Sequence, residues 1–112
     1  MSSESPSIYE IRQDWKNIVR KLSDAAKAVL GEAEVVPFGS VVAGNAAAAS
    51  DIDVLIIAKD LPKSAWRKAQ IIGKIEEETG LPPFHPVQIH LVTWREAQTN
   101  PIYTEVLKTR KK

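Results

Sequence analysis

Apolar residues recur at helical spacing through the first quarter of the chain, and a glycine follows the last of them. The spaced positions are Ile8, Ile11, Trp15, Ile18, Val19, Leu22, Ala26, Val29 and Leu30. Such residues fall on one face of an α-helix, and Gly31 stands where a helix commonly ends. Ser7 and Glu10 have capping-box spacing, in which each side chain satisfies a free N–H at a helix start. The pattern predicts one long amphipathic helix that begins after Ser7 and ends at Gly31.

Three apolar segments have the length and composition of β-strands. Residues 35–38 predict a short strand that leads into Gly39 and Ser40, and residues 87–92 predict another. Residues 52–58 are β-branched and largely apolar, which makes them the strongest strand pattern in the chain. Residues 41–50 are small and almost uncharged, and they indicate a short helical turn followed by a loop.

A second helix is predicted between the last two strands. Asp60, Leu61 and Pro62 have the residue types of a helix start, and Gly80 has that of a helix end. The predicted buried face consists of Trp66, Ala69, Ile72 and Ile75.

The end of the chain adds a loop and two short helices. Three prolines in residues 81–86 predict the loop. Thr93 and Glu96 repeat the capping-box spacing, and Pro101 follows Asn100 at the start of a last helix. The order of elements predicts an α/β (α+β) fold, in which a small mixed β-sheet has helices packed on it.

Composition and charge indicate an ordinary globular domain. The chain has 112 residues, of which 44% are hydrophobic and 26% charged, so we expect one domain over residues 1–112, with a flexible leader at 1–6 and a basic tail at 108–112. A net charge of +1 offers no electrostatic argument for binding nucleic acid or a membrane. There is no cysteine, which excludes disulfides and thiolate sites. The N-terminus lacks an apolar signal core, so a soluble cytoplasmic protein is expected.

Two aspartates begin the strongest strand. Side chains alternate on a strand, so Asp51 and Asp53 face the same side, about 6.6 Å apart along the chain. Two neighbouring carboxylates repel each other unless something neutralises them. Mg²⁺ or Mn²⁺ would do so, because Mg²⁺ typically binds one or two carboxylates together with substrate phosphates and water.

Gly39 and Ser40 supply the second half of the candidate site. A glycine lets the backbone approach a ligand closely. A helix beginning near Ser40 would direct free N–H groups at a phosphate, and the serine hydroxyl could add a hydrogen bond. A metal on one side and N–H donors on the other suit phosphoryl transfer, which depends mainly on positioning and charge stabilisation.

The pattern of Gly39-Ser40, ten intervening residues and Asp51-Ile52-Asp53-Val54 resembles the minimal nucleotidyltransferases of the DNA polymerase beta superfamily. The resemblance covers roughly residues 33–98 and implies the polymerase beta palm-like fold. It also implies transfer of a nucleoside monophosphate from ATP or another nucleoside triphosphate to an acceptor hydroxyl, with release of pyrophosphate. By position, Asp51 and Asp53 would be metal ligands and Gly39 and Ser40 would contact the triphosphate.

The chain departs from the family pattern at two places. The family usually has a third carboxylate on the later strand, where this chain has Gln88. Glutamine cannot act as a general base, although its carbonyl oxygen can bind a metal weakly. His90 shares the face of Gln88 by alternation and could orient the acceptor or take its proton. The arginine that often follows Gly-Ser in relatives is also absent, since Val41 and Val42 come next.

The sequence leaves several alternatives for the acceptor of the nucleotidyl group. Stand-alone proteins of this family resemble the antitoxin half of a two-gene system, which implies a helical HEPN-domain toxin as the protein that receives AMP. A chain of this size leaves no room for a separate acceptor domain, so the acceptor would come from a partner or from another copy in a homo-oligomer. One alternative is a catalytically weak binding module that masks its partner. Another is transfer to a small molecule, although relatives with that activity carry an added substrate domain.

The remaining conspicuous side chains have ordinary structural interpretations. Trp15, Trp66 and Trp94 are expected in the core or at an interface, where large aromatic residues commonly lie. His85 and His90 lack zinc-site spacing, so no zinc is expected.

Overall fold

The computed structural model describes residues 8–39, 42, 51–82 and 84–109. Its elements in chain order are α1 (Ile8–Gln13), α2 (Trp15–Leu30), β1 (Ala33–Phe38), β2 (Ile52–Ala58), α3 (Ala65–Thr79), β3 (Val87–Thr93), α4 (Trp94–Thr99) and α5 (Pro101–Thr109). The three strands lie where the sequence predicts them.

The strands form a mixed sheet in the order β1-β2-β3. β1 runs antiparallel to β2, and β2 runs parallel to β3 with α3 as the connection between them. A parallel pair needs such a crossover, because the chain must return to the same end of the sheet. The predicted α+β fold with a small mixed sheet is confirmed.

The central strand β2 is buried on both faces and separates two apolar cores. Ile52, Val54 and Ile56 belong to the core formed with α1, α2 and α3. Leu55 and Ile57 belong to the core formed with α4 and α5. Because side chains alternate along a strand, the face that holds Leu55 also holds Asp53, and this places the candidate site on the α4–α5 side of the sheet.

The first helix is not continuous as predicted, because the chain bends at Asp14. That residue has φ −106° and ψ 31°, outside the helical region, and the helices α1 and α2 meet there. Two helical hydrogen bonds nevertheless span the bend, from Asp14 N–H to the Glu10 carbonyl and from Ile18 N–H to the Asp14 carbonyl. The Asn17 amide donates a hydrogen bond to the Asp14 carboxylate across the bend at 3.1 Å. Gly31 ends α2 as predicted.

The second predicted helix begins later than expected and presents a different face. Ser64 caps it by accepting a hydrogen bond from Arg67 N–H, so α3 starts at Ala65 rather than at residues 60–62. Trp66 then lies in the exposed first turn and is 70% exposed, so it is outside the core, one of the two places that the sequence predicted for it. Further along α3 the predicted Ile75 is fully buried, whereas Ala69 is exposed.

The other two tryptophans differ in burial, and the last two helices begin where the sequence predicts. Trp15 packs against the first core, as predicted, whereas Trp94 is 38% exposed at the start of α4 and lies outside the core. The capping box of Thr93 and Glu96 is present, and α5 begins at Pro101.

Several predictions fall outside the residues that the structure describes. They concern Ser7 of the first capping box, Ser40, and all of residues 41–50 except Val42. Within the described residues, no helix is long and apolar enough to cross a membrane.

Candidate active site

The predicted site residues meet at one end of the sheet, where β1 ends and β2 and β3 begin. The strand register places Phe38, Asp53 and Gln88 in one row across the three strands. Gln88 and His90 are two residues apart on β3, so both face the side that Asp53 faces. The sequence therefore located four side chains, Asp51, Asp53, Gln88 and His90, that the fold brings together.

Asp51 lies immediately before β2 rather than on it, yet its side chain reaches the same cluster. β2 begins at Ile52, whose N–H donates to the Pro86 carbonyl on the neighbouring loop. The Gln88 amide Nε2 donates to Asp51 Oδ2 at 3.3 Å. The residue at the family's third carboxylate position thus contacts the first carboxylate through a neutral donor.

Asp53 is hydrogen-bonded to His90, which continues to a tyrosine on α5. Asp53 Oδ1 lies 3.4 Å from His90 Nε2, and both side chains are one-third exposed. His90 Nδ1 lies 3.2 Å from the Tyr103 hydroxyl. The His90 ring also packs edge-on against Phe38, with 5.1 Å between ring centroids.

Gly39 follows β1 directly and touches Asp53 across the site. Its φ is +86°, a conformation that residues with a Cβ rarely adopt. A Cβ built at this position would lie 2.7 Å from Asp53 Oδ2, closer than a Cβ atom approaches a non-bonded neighbour in folded proteins. After Gly39 the chain turns, and Val42 N–H donates to the Gly39 carbonyl at 3.2 Å. Both this backbone conformation and the nearby Asp53 carboxylate therefore favour glycine at position 39, where the sequence predicted a close backbone approach. Ser40 lies outside the described residues.

A cleft of about 470 Å³ opens beside Asp51 and Gln88 toward α1 and α3. Its wall includes His85, whose Nδ1 accepts from Val87 N–H at 3.1 Å and whose Nε2 lies 3.0 Å from Glu76 Oε2. Both ring nitrogens are thus engaged in holding the loop before β3. This arrangement gives His85 a structural role in the loop before β3.

The donor atoms fit a magnesium ion bound together with a nucleotide. Among the residues that the structure describes, no group of three or more His, Cys, Asp or Glu side chains could hold a metal ion. Asp51 and Asp53 nevertheless give two carboxylates at the start of β2, and the exposed Gln88 carboxamide beside Asp51 adds a neutral oxygen. Because Mg²⁺ retains water and binds phosphate oxygens besides one or two carboxylates, such a set suffices when a triphosphate supplies the rest.

A comparison with models of protein families identifies the domain. The family model of the nucleotidyltransferase domain matches residues 16–110. The chain belongs to the nucleotidyltransferase domain family. The match extends from α2 to α5, includes every strand of the sheet, and is consistent with a minimal nucleotidyltransferase. Searches of the curated proteins and of the solved structures found no match.

Family membership supports transfer of a nucleotidyl group, with a nucleoside triphosphate as substrate, as the general activity of this nucleotidyltransferase domain. The structure adds two neighbours of the site that the sequence did not indicate. Phe38 was predicted only as a strand residue, and Tyr103 was not singled out. The contact of Tyr103 with His90 depends on how α5 docks on the sheet, and no sequence spacing indicates that docking.

Proposed function

We propose that this nucleotidyltransferase domain transfers AMP from ATP to a hydroxyl group of a partner protein, with Mg²⁺ held by Asp51 and Asp53. One observation carries the proposal. Both aspartates lie at the start of β2 beside the Gly39 turn, and Asp53 faces Gly39 without room for a single added carbon atom. That arrangement leaves carboxylates on one side and open backbone on the other, as a metal-bound triphosphate requires.

In the reaction, the oxygen of the acceptor hydroxyl forms a bond to the α-phosphorus of ATP. The bond from that phosphorus to the bridging oxygen breaks, and pyrophosphate leaves with the bonding electrons. Mg²⁺, when bound, would neutralise phosphate charge. Gly39 allows the chain to turn close to the phosphates, and Gln88 holds Asp51 through its amide. Gln88 cannot take the acceptor proton, so the proposal assigns this proton to solvent at the exposed Gln88 edge of the site.

The partner that we propose is a HEPN-domain toxin, with this chain as its antitoxin. The family resemblance suggests this partner. The described residues form one sheet with its helices, and the proposal assigns the acceptor hydroxyl to the partner protein. A second copy of the chain is the other source of an acceptor, and transfer assays with each protein separate the two.

Calorimetry with Mg²⁺ and ATP tests the nucleotide site. The wild-type domain should bind ATP only with Mg²⁺ present, and Asp51→Asn or Asp53→Asn should remove that binding. Asp60→Asn is the matched control, because it makes the same change at an exposed position beyond the other end of β2. Absence of ATP binding in the wild type, or equal loss in the control, would refute the proposal.

A second candidate function follows from the contact between Gln88 and Asp51. A neutral amide in the third position favours a binding module that masks its partner with little or no catalysis. A labelled-ATP transfer assay with a co-expressed partner distinguishes the two functions. Transfer by the wild type that depends on Asp51 establishes the enzyme, whereas transfer that appears only in Gln88→Glu establishes the binding module.

A further inference from the structure

A continuous line of hydrogen bonds connects the last helix to the proposed metal site. It runs from the Tyr103 hydroxyl to His90 Nδ1 at 3.2 Å and from His90 Nε2 to Asp53 Oδ1 at 3.4 Å. Tyr103 is half-buried on α5, and its helix is anchored in the second core by the buried Val106. The Tyr103 side chain packs against this core, so the docking of α5 brings its hydroxyl to His90.

The chemistry of the three groups determines where the protons lie. An ionised carboxylate only accepts hydrogen bonds, so His90 Nε2 must carry a hydrogen and donate it to Asp53. In a neutral imidazole the other nitrogen is then an acceptor, and the Tyr103 hydroxyl donates to Nδ1. Neither ring nitrogen has a free lone pair in this state. The geometry thus argues against His90 as the base that takes the acceptor proton, one of two roles that the sequence suggested.

Ring packing fixes the plane of His90. Phe38 approaches it edge-on from β1 at 5.1 Å, and the Tyr103 ring does so from α5 at 5.9 Å. Edge-to-face contacts at these separations are favourable. A ring held from two sides, with its tautomer set by Asp53 and its Nδ1 lone pair engaged by the Tyr103 hydroxyl, presents its Nε2 hydrogen to Asp53 in one direction.

We propose that Tyr103 is a positioning residue, which acts through His90 to hold the Asp53 carboxylate in its nucleotide-binding orientation. Asp53 Oδ1 is fixed by His90, and the other oxygen, Oδ2, faces Gly39. A partner that orients a metal ligand typically changes metal affinity or activity by 10- to 100-fold when it is removed. Because Tyr103 is one residue further from the metal, we expect a loss of about tenfold, at the lower end of this range.

The test compares Tyr103→Phe with the wild type, since this variant loses the hydroxyl and keeps the ring. Thr104→Val is the matched control. It removes a hydroxyl from the next residue of α5, where the group donates only to the backbone carbonyls of Asn100 and Pro101. Long-range proton–nitrogen NMR spectra report the His90 tautomer in mildly alkaline buffer, where free histidine is uncharged. Calorimetry reports the affinity for Mg²⁺ and ATP, and this second measurement rests on the proposed function.

We expect the wild type and Thr104→Val to show His90 with its hydrogen on Nε2. Tyr103→Phe should keep this tautomer, because Asp53 sets it, but its His90 Nδ1 resonance should move as the hydrogen bond from the hydroxyl is lost, and ATP binding should be about tenfold weaker. A wild-type ring with its hydrogen on Nδ1 would overturn the proposal, and so would an unchanged Nδ1 resonance and affinity in Tyr103→Phe. If the Nδ1 resonance moves as expected while the wild type binds no ATP, the orientation of His90 by Tyr103 stands and the proposed function fails.

Discussion

Replacing Gly39 by alanine should weaken nucleotide binding by a mechanism separate from its modest loss of stability. Two costs are involved. The first is conformational, because φ at Gly39 is +86° and an L-residue with a Cβ is strained there by roughly 1–2 kcal/mol. Alanine also restricts the unfolded chain, which offsets about 0.4–1 kcal/mol of that cost. The net loss of unfolding free energy is therefore about 1 kcal/mol.

The second cost falls on the site itself. The new methyl group would lie 2.7 Å from Asp53 Oδ2, whereas the Asp53 Cγ and Cβ atoms, at 3.5 and 3.6 Å, are at ordinary contact distances. The collision therefore involves only the end of a side chain that can rotate. Rotation relieves the contact at little energetic cost, but it turns the carboxylate away from its hydrogen bond with His90. We expect the affinity for Mg²⁺ and ATP to fall at least tenfold, as when the supporting partner of a metal ligand is lost.

Gly80→Ala provides the matched control. Gly80 ends α3 with the same φ of +86°, and a Cβ there would meet nothing within 4 Å. Urea unfolding should show similar losses of about 1 kcal/mol for both variants, and calorimetry should show weakened ATP binding for Gly39→Ala alone. Wild-type ATP affinity in Gly39→Ala would refute the argument that this glycine makes room for Asp53. Equal weakening in Gly80→Ala would show that lost stability is the cause.

Four further variants test the site and the fold. Asp53→Asn should abolish Mg²⁺-dependent ATP binding in calorimetry but change the free energy of unfolding by less than about 1 kcal/mol, because Asp53 is partly exposed. Leu55→Ala should lower that free energy by about 2–5 kcal/mol in urea titration, since Leu55 is 0% exposed in the second core; a smaller loss would mean that the core collapses around the cavity. Thr93→Ala should cost about 1 kcal/mol, because it removes the cap of α4, and Ser64→Ala should cost less, since the Ser64 cap has one longer hydrogen bond and no return bond.

The features that the sequence predicted well depend on local chemistry. β2 was predicted with its observed bounds, Ile52–Ala58, because a strand buried on both faces is apolar at nearly every position. Alternation alone placed Gln88 and His90 on one face of β3, and the register then set Gln88 beside Asp53. The capping box at Thr93 involves residues three apart, so it needed no knowledge of the rest of the fold.

The features that the sequence did not predict depend on contacts between distant elements. Tyr103 reaches His90 only because α5 docks on the face that holds Asp53. Trp66 has the periodicity of a buried residue, yet Ser64 starts α3 so that its first turn extends into solvent. The bend at Asp14 leaves the helical hydrogen bonds nearly intact, so the apolar periodicity continues through it.

The neutral side chain at position 88 separates the requirements for binding a nucleotide from those for transferring it. The proposed binding needs carboxylates for the metal and open backbone for the phosphates, which Asp51, Asp53 and Gly39 would supply. An acid at position 88 would add a third negative charge beside Asp51, where Gln88 instead donates a hydrogen bond at 3.3 Å. In the absence of a metal, glutamine instead of an acid at position 88 avoids repulsion with the Asp51 carboxylate. It also leaves the acceptor hydroxyl without a carboxylate base, and the geometry of His90 does not replace one. Hence this site is better suited to holding a metal-bound nucleotide than to fast transfer, and any transfer should be slow in the wild type and faster in Gln88→Glu.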